Sequence, residues 1–388
     1  VIAAFLLPFP VRGYRAPFLW VFYKLLASYK EPMHFICGRD YVVDADVWRQ
    51  AGRWEMLDIS CQRLEYSVPS SEHIGNHSFH FLENRLFERL LADAGGNPLA
   101  LYAQLLSRRI PMLEEALAEA LSDMPHNSVE AILTWCNCPS LKTVSEAMSI
   151  PVVHLEMGPL RWPDYRSTAY FDFRGVNGFT EAHIRYESTD WQGSTQLQRG
   201  NLRRFFLRSP CPRMMADHAV GLALQVEDDS NLMAFGSGYD NQALIVKAHL
   251  DNPAGNVIVR GHPGSLFRPR QDWYEVDDSV NSIEFISRIE RLMTINSSVG
   301  LEAILFGKPV EVLGDCAYRF IVDIDDESEV VRRLAHYLFA YLVPMPLIFE
   351  PDYLRFRLSR PTDTSVVSRH IDCYAPSGNL DSSLDGLL

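Results

Sequence analysis

What this chain lacks is the first guide to it. It has no basic excess: 36 lysines and arginines stand against 49 aspartates and glutamates, for a net charge of −13. Such a surface repels polyanions, which argues against a nucleic-acid reader, although a pocket for a single nucleotide needs only a few local donors. Seven cysteines, an odd number scattered over 388 residues, do not form a disulfide framework, and the expected compartment is reducing. Cys136 and Cys138 in TWCNCPSL have no second pair at zinc-finger spacing and are expected to close a strand. No run reaches the roughly 20 apolar residues of a membrane span. The two greasiest stretches, FLWVFYKLLASY (18–29) and YLFAYLVPMPLIF (337–349), are expected in cores, with docking to a membrane surface as the second reading. VIAAFLLPF at the start shows no charged leader or small-residue cleavage site and reads as a buried strand reaching a proline turn. GxxxxGK and GxSxG motifs, internal repeats and low-complexity tracts are absent, and the GSG at 236 lacks the third glycine of a dinucleotide fingerprint.

What is present is alternation. With 47% hydrophobic residues the chain can bury a sizeable core, and its length suggests two domains. VIAAFLL (1–7), MHFICG (33–38), VEAILTW (129–135) and IPVVHLE (150–156) read as strands. Helical patterns run at 79–94, 97–108, 112–123 and 139–148, so the order is that of a parallel, doubly wound sheet. The two prolines of SPCPR (209–213) break helix and strand alike. Beyond them the alternation resumes: AVGLALQVE, NVIVRG, LMTI and VEVLG as strands, with helices between. The expected domains are 1–208, 209–345 and a C-terminal extension, 346–388, packing back on the first domain and ending in a loose tail. The expected architecture is two Rossmann-like domains facing each other across a cleft.

In such sheets ligands bind at the carboxyl ends of strands, so the residues where each strand stops carry the interest. INSSVGLEA puts Asn296, Ser297, Ser298 and Gly300 at a strand-to-helix turn, where backbone N–H groups and small side chains can seat a phosphate, or where one serine simply caps the helix. Glu302, one turn on, can accept from ribose hydroxyls or be an ordinary helix glutamate. RGHPGS holds His262 extended before a proline, at a strand end with Arg260 beside it, placed to bond a phosphate oxygen or protonate a leaving group. QVEDDSN (225–231) ends a strand with three consecutive carboxylates, either solvated or with one kept for chemistry, such as attack on an anomeric carbon. HLEMGPLR offers Glu156, Gly158, which permits close backbone approach, and Arg161, which can clamp a substrate carboxylate or form an interdomain salt bridge. His73, His77 and His80 read as one polar helix face, and DIDDESE (323–329) as a solvated loop opening a helix rather than a metal motif.

QVEDDSN, then HPGS, then INSSVGLEA with GKPVEVLGD, with HLEMGPLR upstream of them, form four ordered motifs that resemble the bacterial retaining β-Kdo glycosyltransferases. The likeness is greatest to the WbbB-type Kdo-transferase domain of lipopolysaccharide O-antigen synthesis and looser to the KpsC and KpsS capsule enzymes. It spans almost the whole chain, from the PFPVRG turn (8–13) to DCAYRF (315–320) and the YLFAYLVP segment. The resemblance implies a GT-B fold and transfer of 3-deoxy-D-manno-oct-2-ulosonic acid (Kdo) from CMP-β-Kdo to a glycan acceptor with retention, by double displacement. It implies Asp229 as nucleophile, His262 with Ser297 and Ser298 on the CMP phosphate, and Gln225, Asp228 and Ser230 shaping the nucleophile loop. Glu156 is the expected base for the acceptor hydroxyl. No cofactor and no metal is expected, because helix-end N–H groups and a histidine can support a departing monophosphate. The expected location is the cytoplasm, with contact at the cytoplasmic face of the inner membrane or with other glycan-assembly enzymes. Two rivals stand beside this reading: another GT-B enzyme using a CMP-sugar, such as a sialyltransferase, and a non-catalytic GT-B-like module that binds glycan.

Overall fold

The computed structural model describes residues 1–8, 10, 15–50, 54–124, 129–191, 197–253, 255–270 and 273–375. Most of the PFPVRG turn and the expected tail lie outside the described residues. Two compact units divide the chain. The first comprises 1–156, 171–176 and 346–359, and the second 157–170, 177–345 and 360–388. The chain therefore changes unit just after Glu156, and the prolines of SPCPR, taken above as a boundary, fall inside the second unit. Residues 346–359 group with the first unit, and the chain from 360 with the second.

In the first unit, β1 (Ile2–Phe5), β2 (Met33–Cys37), β3 (Ser78–Phe81), β4 (Ala131–Thr134) and β5 (Val152–Met157) lie in the order β5-β4-β1-β2-β3, all parallel. β1 and β4 are buried on both faces, as their unbroken apolar runs require. The helix Leu19–Ser28 buries Leu19, Val21, Phe22, Tyr23, Leu25 and Leu26, so the first greasy stretch is core. One expected element is corrected here. The pattern at 79–94 is not one helix, because Ser78–Phe81 alternates phenylalanine with polar residues and forms β3 before a helix begins at Asn84. His73, His77 and His80 accordingly do not form one helix face: the His73 and His77 rings meet edge-on at 5.5 Å, with His73 Nε2 at Leu26 O and His77 Nδ1 accepting from Met33 N, while His80 sits on β3 near Asp123. Cys136 and Cys138 are buried just past β4 as expected, and burial pushes the Cys138 thiol up to about 11.

A strand the sequence pattern did not reveal, β6 (Thr168–Asp172), carries the chain from the second unit back to the first. In the second unit, β7 (His218–Ala223), β8 (Val257–Arg260), β9 (Glu275–Val276), β10 (Ile289–Thr294) and β11 (Val310–Val312) form a parallel sheet ordered β11-β10-β7-β8-β9. The first strand is central and the winding reverses beside it, which is the doubly wound arrangement expected from the alternation. Val220, Leu222, Val257, Val259 and Met293 pack with Leu244, Ile245 and Ala248 of the helix Asn241–Asp251 to make its core. The second greasy stretch is also interior: Tyr337–Tyr341, a single π-helical turn, is fully buried, and β12 (Val343–Pro344) pairs antiparallel with the start of β6. Among the described residues no helix is long and apolar enough to cross a membrane.

Candidate active site

Three strands of the second unit end in register. Thr294 of β10 pairs with Ala223 of β7, and Ala223 with Arg260 of β8, so the three stand in one row. Two residues beyond that row come Asn296, Gln225 and His262. The motifs singled out from the sequence thus leave neighbouring strands at the same level, on the side where parallel sheets present ligand sites.

β7 stops at Ala223, four residues earlier than the apolar run suggests. The reason is a side chain that imitates a strand. Asn241 Oδ1 accepts from Gln225 N at 3.0 Å, and Asn241 Nδ2 donates to Gln225 O at 2.8 Å, so this peptide pairs with an amide instead of a neighbour in the sheet. Gln225 in turn clamps the β10 turn: its Nε2 donates to Asn296 Oδ1 at 2.8 Å and its Oε1 accepts from Asn296 N at 3.1 Å. Asn296 Nδ2 reaches the carbonyls of Asn231, Phe235 and Asp315 at 3.1–3.2 Å, and Asn231 Nδ2 returns a bond to Asn296 O. Gln225 and Asn296, both buried, were expected to touch the nucleotide-sugar. Their amides are committed to the protein, and their place is that of a clamp across the switch point of the sheet.

The three carboxylates of QVEDDSN separate by role. Glu227 accepts from the loop after β8. Asp229 caps the helix Ser230–Phe235, with Oδ1 accepting from Asn231 N at 2.9 Å. Asp228 and Ser230 are half-buried beside it, and Ser230 Oγ accepts from Asn177 Nδ2 at 3.5 Å. His262 is exposed, and its Nδ1 accepts from Gly264 N at 3.0 Å. A ring nitrogen that accepts carries no proton, so in the neutral imidazole the hydrogen sits on Nε2. Arg260 was expected in the ligand site, but its Nη1 donates to Asp277 Oδ2 at 2.5 Å and to Ser279 O at 3.1 Å, binding β8 to the segment after β9.

At the β10 turn, Ser297 Oγ accepts from Val299 N at 3.3 Å, while the Ser298 side chain makes no cap bond to the helix Val299–Leu305. Gly300 answers a packing demand: a Cβ there would collide with Tyr318 Oη, and that hydroxyl donates to Ser297 O. Glu302 does not lie open to a ribose. It is buried, and its Oε2 accepts from Ser282 Oγ at 2.6 Å and Tyr165 Oη at 3.0 Å. Burial raises its carboxyl to about 7 against the opposing pull of those hydroxyls and of Arg161. Arg161 itself is exposed, with Nε bonded to Gly158 O. Gly158 was expected to admit a ligand, but the close approach is made by β6: a Cβ at 158 would lie 2.6 Å from the Thr168 carbonyl carbon. Glu156 belongs to the first unit, where Oε1 accepts from Trp135 Nε1 at 3.2 Å.

Sequence reading did not single out Asn241, Asn231, Tyr165 or Ser282. The available signal was an asparagine opening a helix after each of two loops, which propensity alone assigns to capping. Among the described residues, no three His, Cys, Asp or Glu side chains gather as metal ligands would. DIDDESE behaves as a loop, with Asp326 capping the helix Glu327–His336.

Residues 4–181 match the Glycosyltransferase 99 family N-terminal domain, and residues 216–332 match the Capsule polysaccharide biosynthesis protein family. Protein FixF of Sinorhizobium fredii is 26% identical over 175 residues, 39% of each chain. The lipopolysaccharide-processing protein LpsZ of Rhizobium meliloti is 29% identical over 120 residues, 28% of this chain and 27% of that one. The chain thus spans well under half the length of these curated relatives. A solved structure titled Thermosulfurimonas dismutans KpsC, beta Kdo 2,7 transferase, aligns with a TM-score of 0.43 at 20% identity, over 57% of this chain and 80% of that chain.

Proposed function

With a glycosyltransferase 99 N-terminal domain and a capsule polysaccharide biosynthesis domain in one chain as the premise, we propose that it is a retaining β-Kdo transferase. It moves Kdo from CMP-β-Kdo to a glycan acceptor of lipopolysaccharide or capsule synthesis. The observation that best supports this is the row Thr294, Ala223, Arg260, beyond which a carboxylate loop, a histidine loop and a serine turn emerge together. A sugar with a monophosphate leaving group needs those three elements in one place.

The reaction runs in two displacements. An Asp229 carboxylate oxygen attacks the anomeric carbon, the bond from that carbon to the phosphate oxygen breaks, and CMP departs with the bonding pair. His262 Nε2–H and the groups of Ser297 and Ser298 take up the charge developing on the phosphate. The acceptor hydroxyl oxygen then attacks the same carbon, its proton passes to a base, and the Asp229 carboxylate is released. Two inversions give net retention. Glu156 is the candidate for that base, and Arg161 the candidate partner of the Kdo carboxylate.

Release of CMP from CMP-β-Kdo in the presence of acceptor glycans tests the proposal. Turnover that falls at least tenfold in His262→Ala supports it. Turnover only with CMP-sialic acid would replace it with the sialyltransferase reading, and binding of glycan without release of nucleotide from any CMP-sugar would leave a non-catalytic module.

A further inference from the structure

We infer that Glu227 is a positioning residue that sets the histidine loop, so that the first acid of the EDD triplet acts on His262 rather than on the sugar. The inference rests on the reading of His262 given above for its functional consequence, but its geometry stands alone. Glu227 Oε1 accepts from Ser265 Oγ and from Phe267 N at 2.8 Å, and Oε2 accepts from Leu266 N at 3.3 Å. Three successive residues of the loop after β8 thus converge on one carboxylate from the loop after β7. On the near side, Asn241 Nδ2 reaches Glu227 Oε1 at 3.5 Å while also holding Gln225 O, so the carboxylate belongs to the same frame that ends β7.

From Ser265 the constraint passes to the imidazole. Ser265 is buried, and its N–H donates to His262 O at 3.0 Å, closing a turn over Pro263 and Gly264. Gly264 N, inside that turn, donates to His262 Nδ1. Holding Ser265 in place therefore aims the Gly264 N–H at the ring and selects the tautomer with hydrogen on Nε2. Burial would raise the Glu227 carboxyl, but the Ser265 hydroxyl and the two loop amides outweigh it and hold the group below its ordinary value. It stays charged and accepting throughout the neutral range. Charge-assisted bonds of this kind are stronger than neutral ones and keep a loop in a single geometry.

The test is the tautomer of His262, read by two-bond proton–nitrogen correlation in protein labelled with nitrogen-15 at histidine, with the resonance assigned by its loss in His262→Gln. Wild type is expected to show neutral His262 with its hydrogen on Nε2. Glu227→Ala and Ser265→Ala are each expected to give a mixture of tautomers, with the double variant no worse than either single. The other eleven histidines report whether the variants fold. If Glu227→Ala does not, Glu227→Gln, which keeps one acceptor oxygen, is expected to give an intermediate mixture. An unchanged Nε2–H tautomer in the folded alanine variant, or in the glutamine variant where only that folds, overturns the inference. For the reaction itself, kcat/KM for CMP release is expected to fall roughly ten- to a hundredfold in Glu227→Ala, as a displaced donor would cause, with partial rescue by glutamine. A wild type that releases no CMP would sink the transferase reading and leave the tautomer result to judge Glu227 independently.

Discussion

At the scale of single residues, Asp229 has an observed structural part, and the proposed reaction adds a chemical one to the same carboxylate. Its Oδ1 caps a short helix, a task asparagine performs as well as aspartate. Asp229→Asn should therefore unfold at the same denaturant concentration as wild type while losing roughly a thousandfold or more in transfer. Asp229→Ala should lose transfer and, in addition, about 1 kcal/mol of stability. Transfer surviving in the asparagine variant would leave the residue as a cap and nothing more.

Glu302 makes the complementary case, a carboxyl whose burial has a cost. Its folded value is raised from 4.5 to about 7, so the native state holds a proton that the unfolded chain gives up. Its protonated form is fully accommodated below 4.5, and stability is lost as the pH rises from there through about 7. Glu302→Gln keeps an acceptor for Tyr165 and Ser282 and removes the titration. Denaturant melts of the two proteins should converge at acid pH, with the variant more stable above neutrality, by an amount on the order of a few kcal/mol. Parallel curves across that range would show that the carboxyl titrates normally.

At the scale of elements, the amide clamp between the ends of β7 and β10 carries the argument. Removing the Asn296 side chain strips Gln225 of an acceptor and takes a donor from the carbonyls of Asn231, Phe235 and Asp315, of which Phe235 O keeps the Asp315 N–H. Each buried group left unpaired costs about 1–3 kcal/mol, so Asn296→Ala should lower the unfolding free energy by about 3 kcal/mol or more. A loss comparable to a surface substitution would mean the turns hold themselves. Strand and helix order was readable because apolar periodicity reflects burial, and β1, β4, β7, β8 and β10 all lie in buried parallel sheets. β3 was absorbed into a helix because Phe79 and Phe81 fit either period over so short a run. β7 was read four residues too long because Leu224 and Val226 continue the apolar pattern, while the group that ends the strand, Asn241, comes sixteen residues after Gln225.

At the scale of the whole molecule, alternation along the chain foretold two parallel α/β units, whereas their borders were not legible. SPCPR breaks local structure, but a compact unit is defined by long-range packing, and 157–170 and 346–359 each group with residues distant in sequence. The candidate site was legible in its positions and less so in its roles. Proximity to a strand end marked Gln225, Asn296, Arg260, Gly158 and Glu302. Pattern alone could not distinguish a side chain that meets a ligand from one already engaged by Asn241, Asp277, the Thr168 backbone or Tyr165. In the second unit the proposal therefore rests on a narrower set, His262, Asp229 and the serine turn.

The central claim is that a carboxylate of the loop after β7 becomes covalently joined to the transferred sugar. Intact mass spectrometry of the protein incubated with CMP-β-Kdo, followed by peptide mapping, tests it most directly. The account predicts a mass increase of one Kdo residue carried by Asp229, discharged on adding acceptor and absent from Asp229→Asn. Steady turnover with no covalent species in the wild type, or an adduct that persists in Asp229→Asn, would contradict it.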